Sequence, residues 1–214
     1  MKERLNISSM FKLGLTLALF SAAACVMLAF VYKGTEKIIA ERQQKDLEDA
    51  LKDVYQEADN FEPVSEIQCA DPDVLIENGY AAYNNGEITG IALSVISKKG
   101  YAGPIKILVG VRSDGYITGV RILDHSETPG LGANAASPSY FADKAQGITF
   151  YGQFKGKNAN DRFEVHDDIA AVTASTITSR AAAEAVKAAV LSALGWFAGS
   201  GERAVSGVSE GVGE

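Results

Sequence analysis

Residues 104–123 read PIKILVGVRSDGYITGVRIL, and this stretch decides the fold class. Ile105, Ile107, Val109 and Val111 alternate with Lys106, Leu108, Gly110 and Arg112. That is the period of two that sends successive side chains to opposite faces of a strand. Ser113-Asp114-Gly115 breaks the run, and Asp-Gly is a hairpin signal because both residues tolerate positive φ. Residues 116–123 then resume as the return strand. The same grammar stands upstream, where residues 81–83 precede Asn84-Asn85-Gly86 and Glu87–Ser97 form an apolar run. Strands joined by tight turns pair antiparallel, so the expectation is a meander with one face better buried than the other.

Helical periods flank the sheet. Leu47, Leu51, Val54 and Ala58 recur at i, i+4, i+7 and i+11, which predicts a stalk helix over residues 34–60. A second helix is expected from about Ile177 to Phe197, rich in Ala, with Val186, Val190 and Leu194 on one face. A short helical piece is expected around residues 140–146. Sheet and flanking helices together make an α+β domain.

Before the stalk, residues 13–32 (LGLTLALFSAAACVMLAFVY) hold no charge, between Lys12 and Lys33. At about 1.5 Å per helical residue this run spans roughly 30 Å, the thickness of a bilayer core. The alanines before Cys25 resemble a signal-processing site, but the apolar run continues beyond it through Val31, so a retained transmembrane helix is the reading. Lys2, Arg4 and Lys12 precede the span and Lys33, Lys37, Arg42 and Lys45 follow it, so charge bias does not choose an orientation.

Composition excludes several functions. A net charge of −7 gives no basic stripe for a nucleic-acid partner. Two histidines are too few for a His-rich metal site. Cys25 lies in the apolar run and Cys69 in a polar segment, which leaves no disulfide framework and no cysteine metal site within this chain. A hydrolase built on His125 lacks a paired nucleophile. Redox or group chemistry would therefore come from an organic cofactor.

The segment that carries chemistry is Val172-Thr173-Ala174-Ser175-Thr176-Ile177-Thr178-Ser179, at the entrance of the second helix. Ser and Thr there cap a helix by accepting bonds from its orphan N–H groups. A cluster this dense also suits an anion, because the helix N-terminus offers free donors and the positive end of its dipole. Spacing alone leaves both readings open.

This segment and His125-Ser126-Glu127-Thr128-Pro129-Gly130-Leu131-Gly132 upstream of it, taken together, resemble the FMN-binding domain family. That family is shared by the G subunit of Rnf electron-transport complexes and the C subunit of the sodium-pumping NADH:quinone reductase. Its pattern is Asp-x-x-Ser/Thr-Gly-Ala-Thr, and its last threonine carries FMN through the phosphate. The resemblance puts Thr173 on the first hydroxyl position and Thr176 on the attachment threonine, with Ala174, Ser175 and Thr178 beside the cofactor. It also implies that Glu127, Thr128, Gly130, Leu131 and Gly132 wall the flavin pocket. Two departures stand out: Ala170 occupies the leading Asp position, and Ala174-Ser175 replaces Gly-Ala. Alanine in place of glycine is unfavourable if the loop uses a positive-φ bend.

The short chain favours the Rnf member of the pair. The resemblance then implies an electron-carrier subunit of an ion-translocating ferredoxin:NAD oxidoreductase, with covalent FMN as redox relay, Na+ or H+ as coupling ion and no complete active site of its own. Implied partners are the other membrane subunits, one of them carrying a second covalent FMN, and a flavin transferase for maturation. The implied segmentation is a cytoplasmic N-terminus (1–12), a single transmembrane helix of the cytoplasmic membrane (13–32), a stalk helix and linker (33–72), an extracytoplasmic FMN-binding domain (73–198) and a disordered tail (199–214). The other reading that the residues allow is a non-redox, membrane-tethered binding or assembly domain whose threonines only cap a helix.

Overall fold

A computed structural model describes residues 7–65 and 67–206, and the chain divides after Glu48 into two compact units. Helix α1, Ile7–Val54, runs through that boundary. Within the first unit, Phe11, Leu17, Phe20 and Phe30 keep 73–79 % of their surface exposed, as suits side chains that face lipid. Hydroxyls inside the apolar stretch do not stay unpaired. Thr16 Oγ1 donates to the Lys12 carbonyl at 2.9 Å, and Ser21 Oγ to the Leu17 carbonyl at 3.0 Å.

The second unit begins at Asp49, ahead of the expected start at residue 73. It carries β1 (Asn60–Val64), β2 (Val74–Asn84), β3 (Glu87–Ser97), β4 (Ile105–Arg112) and β5 (Ile117–His125) in one antiparallel sheet ordered as in the sequence. Asn85 and Gly86, at φ 52° and 84°, make the β2–β3 turn, the paired positive φ that two-residue hairpins need. Strand β1 escapes a sequence reading because Asn60-Phe-Glu-Pro-Val64 is polar and contains a proline, which only an edge strand tolerates.

Helix α2, Thr176–Ser206, packs on β3 and β4. Ala182, Ala185, Ala189 and Ala193 are fully buried there, and their small side chains bring the helix close to Ile91, Leu93, Ile107 and Val109. Phe150, Phe154 and Phe163 close one end of this core, with Phe150 edge-on to Phe154 at 5.6 Å between ring centroids. Each buried aromatic or branched side chain contributes about 1.5–3 kcal/mol. By length and composition α2 also qualifies as a span, but its apolar face is this core.

Both faces of the sheet centre are covered, so the expected contrast between faces fades at β4. The residues after Glu48 supply the second cover. Val54 lies on Gly110 and Gly119, where a Cβ would sit 2.6 Å and 2.9 Å from the Val54 carbonyl oxygen. Thr118 Oγ1 donates to that same carbonyl at 2.6 Å, and Arg121 pairs with Asp53. These tertiary contacts end the helix at Val54 rather than at residue 60, with Tyr55 wholly buried.

Two further expectations are corrected. Residues 140–146 are not helical: β6 (Phe141–Asp143) pairs antiparallel with β7 (Ile148–Thr149). The Asp143 carboxylate accepts the N–H groups of Ala145 and Gln146 at 2.9 and 3.1 Å, a local turn that competes with a helix. Helix α2 continues past Phe197 to Ser206, through part of the segment assigned to a disordered tail. Residues 207–214 of that assignment, like residues 1–6 of the assigned N-terminus, lie outside the described residues.

Candidate functional site

The chain enters α2 through a tight set of bonds. Ser175 N–H donates to the Val172 carbonyl at 3.0 Å, Val172 N–H to Ser179 Oγ at 2.9 Å, and Ser179 Oγ to the Ser175 carbonyl at 2.9 Å. Ala174 sits in the middle at φ 57°, the left-handed region that a Cβ disfavours by about 1 kcal/mol or more. Ala174→Gly is therefore expected to leave stability unchanged or raise it by up to about 1 kcal/mol, as read by chemical denaturation of the full chain. A clear loss of stability would count against a strained bend.

The stretch leading into this entrance is fastened by Asp168. Its carboxylate accepts Lys157 Nζ at 3.0 Å and the backbone N–H groups of Phe163 at 3.1 Å and Glu164 at 2.7 Å. Burial alone would raise this carboxyl, but the Lys157 ammonium and the two N–H donors outweigh it and hold it below the ordinary value of 3.8. A depressed folded-state pKa means that the contribution is complete above the unfolded value and is lost as pH falls below about 4. Asp168→Asn should flatten the acid limb of a stability-against-pH curve. An identical limb in the variant would exclude this carboxylate as its source.

The other motif follows β5. Glu127 N–H donates to His125 Nδ1 at 3.3 Å, and Leu131 N–H closes a turn onto the Thr128 carbonyl at 3.1 Å. Gly130 takes φ 79° in that turn. Glu127, 6 % exposed, joins three segments. One carboxylate oxygen accepts the Thr178 hydroxyl at 2.9 Å, and the other accepts the Ala102 N–H at 3.3 Å. A buried carboxylate needs such donors, and here they stitch the 127–132 turn to the start of α2.

A pocket of about 420 Å³ opens where these segments meet. Glu127, Thr128, Leu131 and Gly132 form one wall, residues 174–178 another, and Tyr101 stands at a third side. Among the residues singled out from the sequence, Gly130 and Thr173 do not line it. Gly130 shapes the turn, and Thr173 is engaged by Tyr140, whose hydroxyl donates to Thr173 Oγ1 and accepts the Thr173 N–H, both at 2.9 Å. Tyr101 and Tyr140 escape a sequence reading because both lie outside the two motifs, and Ile177, inside one of them, has no hydroxyl to single it out. A larger cleft of about 560 Å³ beside β5, near Arg121, Tyr151 and Lys155, holds neither motif.

The hydroxyls of the cluster are not equivalent. Thr178 donates a hydrogen bond to Glu127 and is 2 % exposed; Thr173 is occupied by Tyr140; Ser179 is fully buried and bonded twice. Ser175 is 8 % exposed. Thr176, the first residue of α2, is half-buried, lines the pocket, and its hydroxyl has no hydrogen-bond partner among the described residues. Ser179 N–H donates to the Ser175 carbonyl at 3.0 Å, which leaves the N–H groups of Thr176, Ile177 and Thr178 ahead of the first helical bond as donors, at the positive end of the dipole.

Comparison with known proteins agrees with this geometry. Residues 100–191 match the family model described as the FMN-binding domain, and residues 1–54 match that of the RnfG N-terminal region. The G subunit of the Na(+)-translocating ferredoxin:NAD(+) oxidoreductase complex of Acetobacterium woodii is 35 % identical over 208 residues, 88 % of this chain and 95 % of that protein. The chain belongs to the family of Rnf G subunits. Other members lie at similar distance: the G subunit of the ion-translocating oxidoreductase complex of Aliivibrio fischeri is 36 % identical, covering 89 % of this chain and 91 % of that protein. The G subunit of the proton-translocating ferredoxin:NAD(+) oxidoreductase complex of Clostridium ljungdahlii is 32 % identical over 86 % of this chain and 91 % of that protein.

The residues present fit the FMN of an Rnf G subunit. The pocket volume lies in the cofactor range of about 300–1,000 Å³. Its lining offers the Thr176 hydroxyl and helix N–H donors to a phosphate, and Leu131, Ile177 and Tyr101 to a flat ring.

Proposed function

We propose that this chain is the electron-carrier subunit of a membrane complex that couples ferredoxin:NAD oxidoreduction to Na+ or H+ movement, and that it holds FMN as a phosphoester of Thr176. FMN supplies reversible electron uptake, chemistry that no side chain of this domain provides. The protein's part is to fix the cofactor and set its surroundings. Thr176 Oγ1 would hold the phosphate at the helix terminus, where backbone donors and the dipole offset its negative charge. Thr128 and the 130–132 turn would bound the ring, and Glu127 would keep that turn against α2 through Thr178 and Ala102.

The observation that carries the reading is the meeting of both motifs around one pocket at a helix N-terminus, with Thr176 in its wall as a half-buried hydroxyl that has no partner among the described residues. Family membership supports the complex and its reaction. Helix α1 would be the single membrane pass, because the other apolar helix is spent on the domain core. The domain would lie on the extracytoplasmic side, where a dissociated flavin could not be replaced and a covalent bond has most value. A second covalent-FMN subunit and a flavin transferase would be its partners. The decisive experiment is the intact mass of the full chain purified from a host with its transferase. One added FMN is expected, and a mass equal to the bare polypeptide would defeat the proposal.

A further inference from the structure

Tyr101 lies at the mouth of the pocket on the β3–β4 connection and is its one aromatic lining residue. Its side chain is 70 % exposed and has no hydrogen-bond or ring partner among the described residues. The backbone on both sides of it is nonetheless held. Ala102 N–H donates to Glu127 Oε1 at 3.3 Å. Gly100 has no room for a side chain, because a Cβ would strike the Gly103 carbonyl oxygen and stand 3.0 Å from Glu127 Oε1. A fixed backbone thus presents a large aromatic that no other described residue uses. Leu131 and Ile177, 43 % and 55 % exposed, are the other large apolar groups of the lining. With the phosphate at the α2 terminus, the ring of a bound flavin has these three side chains to lie against.

We propose that the phenol ring of Tyr101 stacks on the isoalloxazine of the FMN and is its aromatic wall. The inference rests on the cofactor reading above and adds to it the residue that contacts the ring. Offset stacking suits two flat π-systems, and tyrosine provides it at small entropic cost. A phenol in van der Waals contact with a light-excited flavin also gives it one electron and then recovers it, so emission is quenched and nothing is consumed.

The test uses the full chain in detergent, made with its transferase, as wild type, Tyr101→Leu and Tyr101→Phe. All three should carry one FMN by intact mass and emit equally per flavin after denaturation. In the native state Tyr101→Leu should emit several-fold more than wild type, with altered flavin circular dichroism in the visible range. Tyr101→Phe keeps the stack but is a poor electron donor, so its emission should rise while the dichroism stays as in wild type. Full flavin loading with unchanged native emission in Tyr101→Leu would overturn this inference alone. Wild type without flavin would overturn the cofactor reading and this inference with it.

Discussion

Thr176→Val should leave a chain without covalent flavin: the intact mass falls to that of the polypeptide, and the fluorescent band in a denaturing gel disappears. Valine keeps the β-branched shape of threonine and removes only the hydroxyl. Because that hydroxyl bonds no other described residue, its loss leaves no buried partner unpaired. Stability should therefore stay within about 0.5 kcal/mol of wild type, as for other substitutions outside the core. The combination matters, since an unfolded variant would also lose flavin. A stable, unlabelled chain points to the hydroxyl as the point of attachment. A label that survives the substitution moves the bond to Thr173, Ser175 or Thr178. Of these, Ser175 is the remaining pocket hydroxyl without a described partner, whereas Thr178 would first have to release Glu127 and Thr173 to release Tyr140.

Much of this site is legible in the sequence because its chemistry is local. The hydroxyl cluster and the helix period that follows lie within one stretch, and the glycine turn after β5 is written as Pro129-Gly130-Leu131-Gly132. The alternation in β4 and the Asp-Gly turn give the sheet and its direction for the same reason. What stays hidden depends on contacts between distant residues. No pattern near Glu127 says that its two oxygens will be taken by Ala102 and Thr178, or that this will bring Tyr101 to the pocket. Nor does the apolar repeat around Val54 say where α1 ends, because a threonine on β5 takes the last carbonyl. The bend at Ala174 is legible only conditionally, from alanine at a glycine position, and the chain does adopt φ 57° there.

Gly132→Ala should be the most damaging single change in the pocket. Gly132 is buried and its φ is not in the left-handed region, so the difficulty is space rather than backbone strain. A Cβ built there stands 2.9 Å from Glu127 Cβ and 2.9 Å from Thr178 Oγ1, and closer still to Glu127 Oε2. The two buried side chains, Glu127 and Thr178, cannot both yield. If the turn moves away from α2, the pocket opens; if it stays, the Glu127–Thr178 bond breaks and leaves a buried carboxylate oxygen without its donor. Overpacking and an unpaired buried polar group together cost roughly 2–4 kcal/mol, a fall in Tm on the order of 10 °C for a domain of this size. Flavin loading should drop in parallel, since the wall and the helix entrance no longer face each other at the same distance. Thr178→Ala in the same chain separates crowding from general damage: it removes one of the atoms that the new Cβ meets, so the double variant should lose less stability than the sum of the two singles. Strict additivity, or a Gly132→Ala chain as stable and as fully loaded as wild type, would mean that the turn is free to move and that Glu127 does not hold the pocket together.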